Sequence, residues 1–188
     1  MLRNFLFLLT IAALVVPANA QGKSPDHAWI ATSNQYTDLL LHVQLKHAPE
    51  SGSRQGLSQY DELISQPTLA DEDLARQEEE DVLAKLKSAL ATEKQKEVRQ
   101  DLEIIIRNVE LNFKIEDYQR AHEVPFINAS GNVFEGVRIL LDEQTPEARR
   151  PAAVVRIRRY AGLDPGYKPF TEILKQRVTE QMAKPGVI

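Results

Sequence analysis

Apolar side chains recur along most of this chain at spacings of three and four, the signature of helices that bury one face. Trp29, Tyr36, Leu40 and Val43 share such a face, and a helix is predicted from Ser24-Pro25-Asp26 to about His47, ended by Pro49. Its start is well formed: a Ser cap, Pro at the first helical position, and an acid near the positive end of the dipole. Residues 49–67 are rich in Ser, Gly and Pro and read as a loop with a short ordered turn at Leu57, Tyr60 and Ile64. A connector that long is expected to be packed or functional.

Thr68 and Asp71 form a T-x-x-D capping box for a second helix, whose buried stripe is Leu74, Val82, Leu83, Leu86 and Leu90. A third helix is predicted from Thr92 to about His122 along the seam Val98, Leu102, Ile105, Val109 and Phe113. Asn128 to Asn132 is read as a turn, followed by a short helix from Val133 to Asp142 with Val133, Val137, Leu140 and Leu141 inward. Thr145-Pro146-Glu147 opens another helical stretch, which restarts or kinks at Pro151, runs from Ala152 to Tyr160 and stops at Gly162. A last helix covers Phe170 to Ala183, with Phe170, Ile173, Leu174 and Val178 inward. No strand of alternating period and no solenoid repeat is found. The fold class is all-α, an irregular helical bundle.

The amino terminus differs from the rest. Arg3 precedes an uncharged run from Phe5 to Val16, Pro17 breaks it, and Ala18-Asn19-Ala20 offers small residues for cleavage. Residues 1–20 therefore read as a secretory signal peptide. The run is too short to span a bilayer core of about 30 Å, and no other stretch is apolar enough to do so. The expected product begins near Gln21 and is exported, to the periplasm or the outside, with no membrane attachment after cleavage. Removing residues 1–20 from the 188, and Arg3 from the 23 basic side chains, leaves 168 residues with 22 basic and 27 acidic groups, a formal charge of −5. That balance speaks against a general nucleic-acid binder. The absence of Cys excludes a disulfide scaffold, a thiolate zinc site and a Cys nucleophile.

Candidate chemistry is sparse. His122-Glu123 resembles the start of the zinc motif H-E-x-x-H, but Phe126 occupies the second His position behind Pro125. His42 and His47 are five apart, which on a helix rotates them about 140° away from a shared ion. His27 is isolated, and all four His are read as surface or supporting residues. No G-x-S-x-G, S-x-x-K or Gly-rich phosphate loop is present. Glu78, Glu79, Glu80 and Asp81 point around their helix as a solvated face, and Asn128-Ala129-Ser130 fits a glycosylation acceptor that matters only in a eukaryotic secretory route. No catalytic, cofactor-binding or metal residue is assigned. One asymmetry stands out: residues 71–81 hold seven acids against Arg76, while residues 145–160 hold five Arg against Glu147. Either the two segments attract each other, or the Arg set docks on an acidic partner, or both are hydrated faces.

Four stretches have a phrase-like character: QLKHAPESGSRQGLSQYDELI (44–64), RQDLEIIIRN (99–108), HEVPFINASGNVFEGVRILLDEQTPEARRPAAVVRIRRYAG (122–162) and FTEILKQRV (170–178). They resemble the amino-terminal part of the bacterial domain-of-unknown-function family 885, over about residues 30–188. The resemblance implies a secreted, largely helical protein akin to zinc metallopeptidases. It implies a zinc-binding H-E-x-x-H helix in a carboxy-terminal part beyond Ile188, so that zinc is expected only there, and a peptide substrate in full-length relatives. On that reading the chain is an incomplete amino-terminal part, a wall or lid whose partner is the carboxy-terminal half. The alternative is a self-contained periplasmic helical binding or scaffold module.

Overall fold

The computed structural model describes residues 27–187. The expected signal peptide and the helix start at Ser24-Pro25-Asp26 lie outside the described residues. Seven α-helices follow in order: α1 (Ala28–His47), α2 (Pro49–Arg54), α3 (Leu69–Thr92), α4 (Lys96–His122), α5 (Ala129–Leu141), α6 (Ala152–Tyr160) and α7 (Phe170–Met182). Short 3-10 turns occupy Ser58–Tyr60 and Glu147–Arg149. The described residues contain no strand, as the all-α reading expects.

The helices form two layers. In the first, α1, α3 and α4 pack on one another. Their core holds Val43, Val82, Leu83, Leu86, Val98, Leu102, Ile106, Val109 and Phe113, with Trp29, Tyr36 and Leu40 against it. The face predicted for α1 is therefore the one it buries. On α4 the seam is also the predicted one, except that Ile106 is buried and Ile105 only partly so. At 27 residues α4 is about 40 Å long and sets the length of this layer. In the second layer α5 packs on α6, α2 and α7. Its core is Ile64, Tyr160, Phe170 and Leu174, flanked by Ile127, Val133, Val137 and Tyr167.

Several boundaries differ from expectation, each for a local reason. Pro49 does not simply end α1; it supplies the first turn of α2, where its missing N–H costs nothing. Thr92 closes α3 rather than opening α4. The Glu93 carboxylate accepts from the backbone N–H groups of Lys94 and Gln95, and α4 begins at Lys96. Asn128 to Asn132 is the start of α5, not a free turn: the Asn128 side chain accepts from the Gly131 N–H at 2.9 Å and caps the helix. Leu74 and Leu141, both expected inward, are 43% and 53% exposed.

Other local readings hold. Thr68 Oγ1 accepts from the Asp71 N–H at 3.1 Å and caps α3, although the expected box is only half formed: the Thr68 N–H donates to the Gln66 carbonyl and the Asp71 carboxylate faces His47. Pro151 stands just ahead of a fresh start for α6. Gly162 ends that stretch with φ +71°, and a Cβ there would lie 2.5 Å from the Pro169 ring, so only glycine serves. Among the described residues no helix is long and apolar enough to cross a membrane.

Candidate functional site

A cleft of about 560 Å³ lined by charged side chains lies where α4 ends. Its walls are the first turns of α3, the last turn of α4, the segment 123–126 and the outer half of α7. The Thr68 cap fixes the start of α3 and so fixes Glu72. Arg177, 3% exposed on α7, grips Glu72 through two parallel bonds, Nε to Oε1 and Nη2 to Oε2, both 2.7 Å. This fork geometry is the strongest form of ion pair between side chains. The guanidinium of Arg120 donates to Asp73 at 2.5 Å and lies 3.7 Å from Glu72. Glu72 thus sits between two arginines.

Gln181 completes the frame. It is fully buried and donates from Nε2 to the carbonyls of Arg120, at 2.8 Å, and Glu123, at 3.0 Å. The carbonyls at a helix C-terminus lack intrahelical partners; here α7 supplies them. Arg177 also reaches Gln181 Oε1 at 3.3 Å, so one buried side-chain network ties α3, α4 and α7 together. Phe126, 93% exposed, stands at the edge of the cleft beside Val124 and Pro125.

The far wall carries Glu116, held by Arg76 at 3.0 Å. Arg76 lies 3.6 Å over the Phe113 ring and also pairs with Glu80 and Asp117. Burial pushes the nearby Glu79 carboxyl upward, and the Glu116 charge adds to the effect. The cleft offers fixed donors and acceptors, an apolar edge and a volume in the small-molecule range. Its lining contains no Ser, Thr, His or Lys that could serve as nucleophile or base. As built it can bind and orient; it has no bond-breaking group other than its carboxylates.

A second network fixes the 49–67 segment. Arg156, fully buried on α6, donates to three backbone carbonyls: Tyr60 at 3.0 Å, Leu63 at 3.1 Å and Gly136 at 2.5 Å. Burial pulls its guanidinium below the ordinary arginine range, and Glu50, Tyr160 and Asp61 partly restore it. Tyr160 donates to Glu50 Oε1 at 2.7 Å, and Glu50 also accepts from the Ser65 N–H at 2.9 Å. Burial and the Glu50 carboxylate both drive the Tyr160 phenol upward. Arg149 grips Asp61 at 2.6 and 2.7 Å, and Ser53 donates to the same carboxylate at 2.6 Å. Burial works to raise the Asp61 carboxyl, but these bonds outweigh it and hold it below the ordinary range.

The charged segments noticed in the sequence do not meet. The acids of residues 71–81 pair with Lys46, His47, Arg76, Arg120 and Arg177. The arginines of 145–160 pair with Asp61, Glu62, Glu147 and Asp164 and with backbone carbonyls. Among the described residues no ion pair joins the two runs. Each is satisfied by a nearer element.

The histidines behave unequally. His42 and His47 do not converge: His42 is exposed, and His47 is wedged between Asp71 and Glu78, Nδ1 at 2.8 Å and Nε2 at 3.0 Å. His122 closes α4 as expected, its ring 4.6 Å from that of Tyr118. His27 is exposed ahead of α1. Among the described residues no group of three or more His, Asp or Glu is arranged to hold a metal ion. Arg177 and Gln181 were not singled out by sequence. Their signal was present: both lie four residues apart on the same α7 face as Phe170, Ile173 and Leu174.

The chain matches no family model, no curated protein and no solved structure in comparisons with each.

Proposed function

We propose that the chain is a supporting region of an exported helical hydrolase of the kind its sequence phrases resemble, domain-of-unknown-function family 885, contributing wall or lid and not catalysis. The observation that carries this reading is the contrast between interior and surface. The interior is fastened by three buried or nearly buried arginine clamps, on Arg149, Arg156 and Arg177. The surface leaves large apolar side chains open on several helices, among them Leu111 and Tyr118 on α4, Phe134 on α5, and Val154 and Ile157 on α6. A rigid unit with open apolar faces is what a helical wall awaiting further protein would present. In this reading zinc and peptide cleavage belong to a carboxy-terminal part, and no residue of this chain is assigned to either.

Reading the coding DNA beyond codon 188 tests it. A continuing frame that encodes H-E-x-x-H supports the reading. A stop codon followed by no such frame refutes it, and favours the second reading, a self-contained exported helical binding module. The cleft framed by Glu72, Arg120, Arg177 and Gln181 is the specific feature that supports that alternative, because side chains of α3, α4 and α7 already frame it within this chain.

A further inference from the structure

The cleft at the end of α4 carries more negative charge than its own arginines balance. Of its lining residues, Glu72, Glu116 and Glu123 are acidic, and Arg120 and Arg177 are basic. Both guanidiniums are engaged within the frame, Arg177 by Glu72 and Gln181, and Arg120 by Asp73. Glu116 shares Arg76 with Glu80 and Asp117, so one cation serves three carboxylates. The side chains of Glu123 and Gln119 form no hydrogen bond or ion pair among the described residues; only their backbones are bonded. Burial lifts the Glu79 carboxyl, and the Glu116 charge lifts it further, a second sign of the same excess.

The shape of the cleft narrows what could balance that charge. Gln119 and Glu123 stand one turn apart, where the Glu123 N–H still donates to the Gln119 carbonyl, and side chains at that spacing are neighbours on a helix surface. Beyond them the chain leaves the helix, and Val124, Pro125 and the 93% exposed Phe126 give an apolar edge. Carboxylates in a cleft draw cations in, because its low-dielectric walls focus their field. A volume of about 560 Å³ suits a small organic molecule rather than a bare ion. A metal ion is disfavoured as well, since among the described residues no three His, Asp or Glu are arranged to hold one. A quaternary ammonium is best held by a cage of aromatic rings, and the lining offers Phe126 alone. Carboxylate and amide oxygens call instead for a cation with N–H donors.

We propose that the cleft binds a small primary amine with an apolar body, its ammonium at Gln119 and Glu123 and its body against Val124, Pro125 and Phe126. Glu116 strengthens the attraction through its charge. The bonded set of Glu72, Arg177 and Gln181 holds the wall in place and leaves charge recognition to the end of α4. This inference rests on the second reading above, in which the cleft is a binding site, and names the class of ligand it takes.

The test titrates the isotope-labelled full chain with three probes of similar shape and different charge: phenethylamine, phenethyl alcohol and hydrocinnamate. Backbone amide shifts in two-dimensional NMR report both affinity and place. The amine should bind at least about tenfold more tightly than the alcohol, because a charge-assisted hydrogen bond replaces a neutral one, and the anion should not bind measurably. The shifts should centre on residues 119–126, and added salt should narrow the gap between amine and alcohol. Glu123→Gln should bring the amine to within about threefold of the alcohol. Phe126→Ala should weaken amine and alcohol alike. Both positions are exposed, so the melting temperature of each variant should match the wild type. Equal binding of amine and alcohol, an amine preference that survives Glu123→Gln, amine shifts centred elsewhere, or silence from all three probes would each overturn the inference. Hydrocinnamate binding at the same amides would overturn the assigned charge and keep the cleft as a binding site. The binding-module reading answers separately to the coding DNA beyond codon 188, so the two can fail apart.

Discussion

Arg156 offers the sharpest energetic test of how this fold is held. Arg156→Met keeps most of the buried volume and removes the guanidinium. Three carbonyls lose a donor, but not equally. The Gly136 carbonyl sits inside α5 and keeps its helical partner. The Tyr60 carbonyl keeps the Leu63 N–H at 3.1 Å. The Leu63 carbonyl has no other hydrogen bond among the described residues. Losing one bond from a carbonyl that keeps another partner costs about 1 kcal/mol, and leaving the Leu63 carbonyl unpaired about 2–3 kcal/mol, so the three losses sum to about 4–5 kcal/mol. Relief from burying a charge returns about 1–2 kcal/mol. The expected net loss is about 3 kcal/mol, which at a slope of about 2 kcal/mol per molar urea lowers the unfolding midpoint by about 1.5 M. Urea denaturation followed by circular dichroism measures it, alongside Arg156→Lys. Lysine keeps the charge but cannot reach three carbonyls that surround a planar fork, and should lose more than about 1 kcal/mol. A loss below about 1 kcal/mol for Met, or wild-type stability for Lys, would refute the clamp.

Three further outcomes follow from the same geometry. Gly136→Ala should destabilise by about 1–3 kcal/mol despite alanine's better helix propensity, because the new Cβ would meet Tyr160 Oη at 2.3 Å, and that ring is held by its bond to Glu50; thermal melting decides the sign. Glu72→Gln should cost about 3 kcal/mol in urea, since it leaves buried Arg177 without its counter-charge, whereas Glu97→Gln on the exposed start of α4 should change stability by less than about 0.5 kcal/mol. The depressed Asp61 carboxyl contributes stability that is present above its ordinary range near pH 4 and is lost as pH falls through its lower folded value; Asp61→Asn should flatten the fall of unfolding free energy below about pH 4, and an unchanged slope would remove Asp61 from the account.

Helix periodicity carried most of the architecture. The faces of α1 and α4, the Thr68 cap and the Gly162 stop are all visible as spacing or residue type, because each is decided within one or two turns of chain. What the sequence did not reveal was decided across the fold. Arg156 and Arg177 look like surface residues by type. They are buried because carbonyls of the 60–63 segment and the carboxylate of Glu72, 105 positions away, meet them there. The acidic run at 71–81 and the arginines at 145–160 are conspicuous as opposites. Their actual partners are mostly ordinary residues supplied by other elements. The cleft has the same origin: its lining comes from four separate segments, and only the stretch from His122-Glu123 through Pro125 to Phe126 drew notice in the sequence, as a failed zinc motif.

The proposed function has this chain support and present without itself cleaving. Purified chain lacking residues 1–20, analysed for bound zinc by elemental analysis and assayed on a mixed peptide substrate, tests it most directly. No tightly held zinc and no turnover above buffer is the predicted result. Stoichiometric zinc together with peptide cleavage that a chelator abolishes would contradict it.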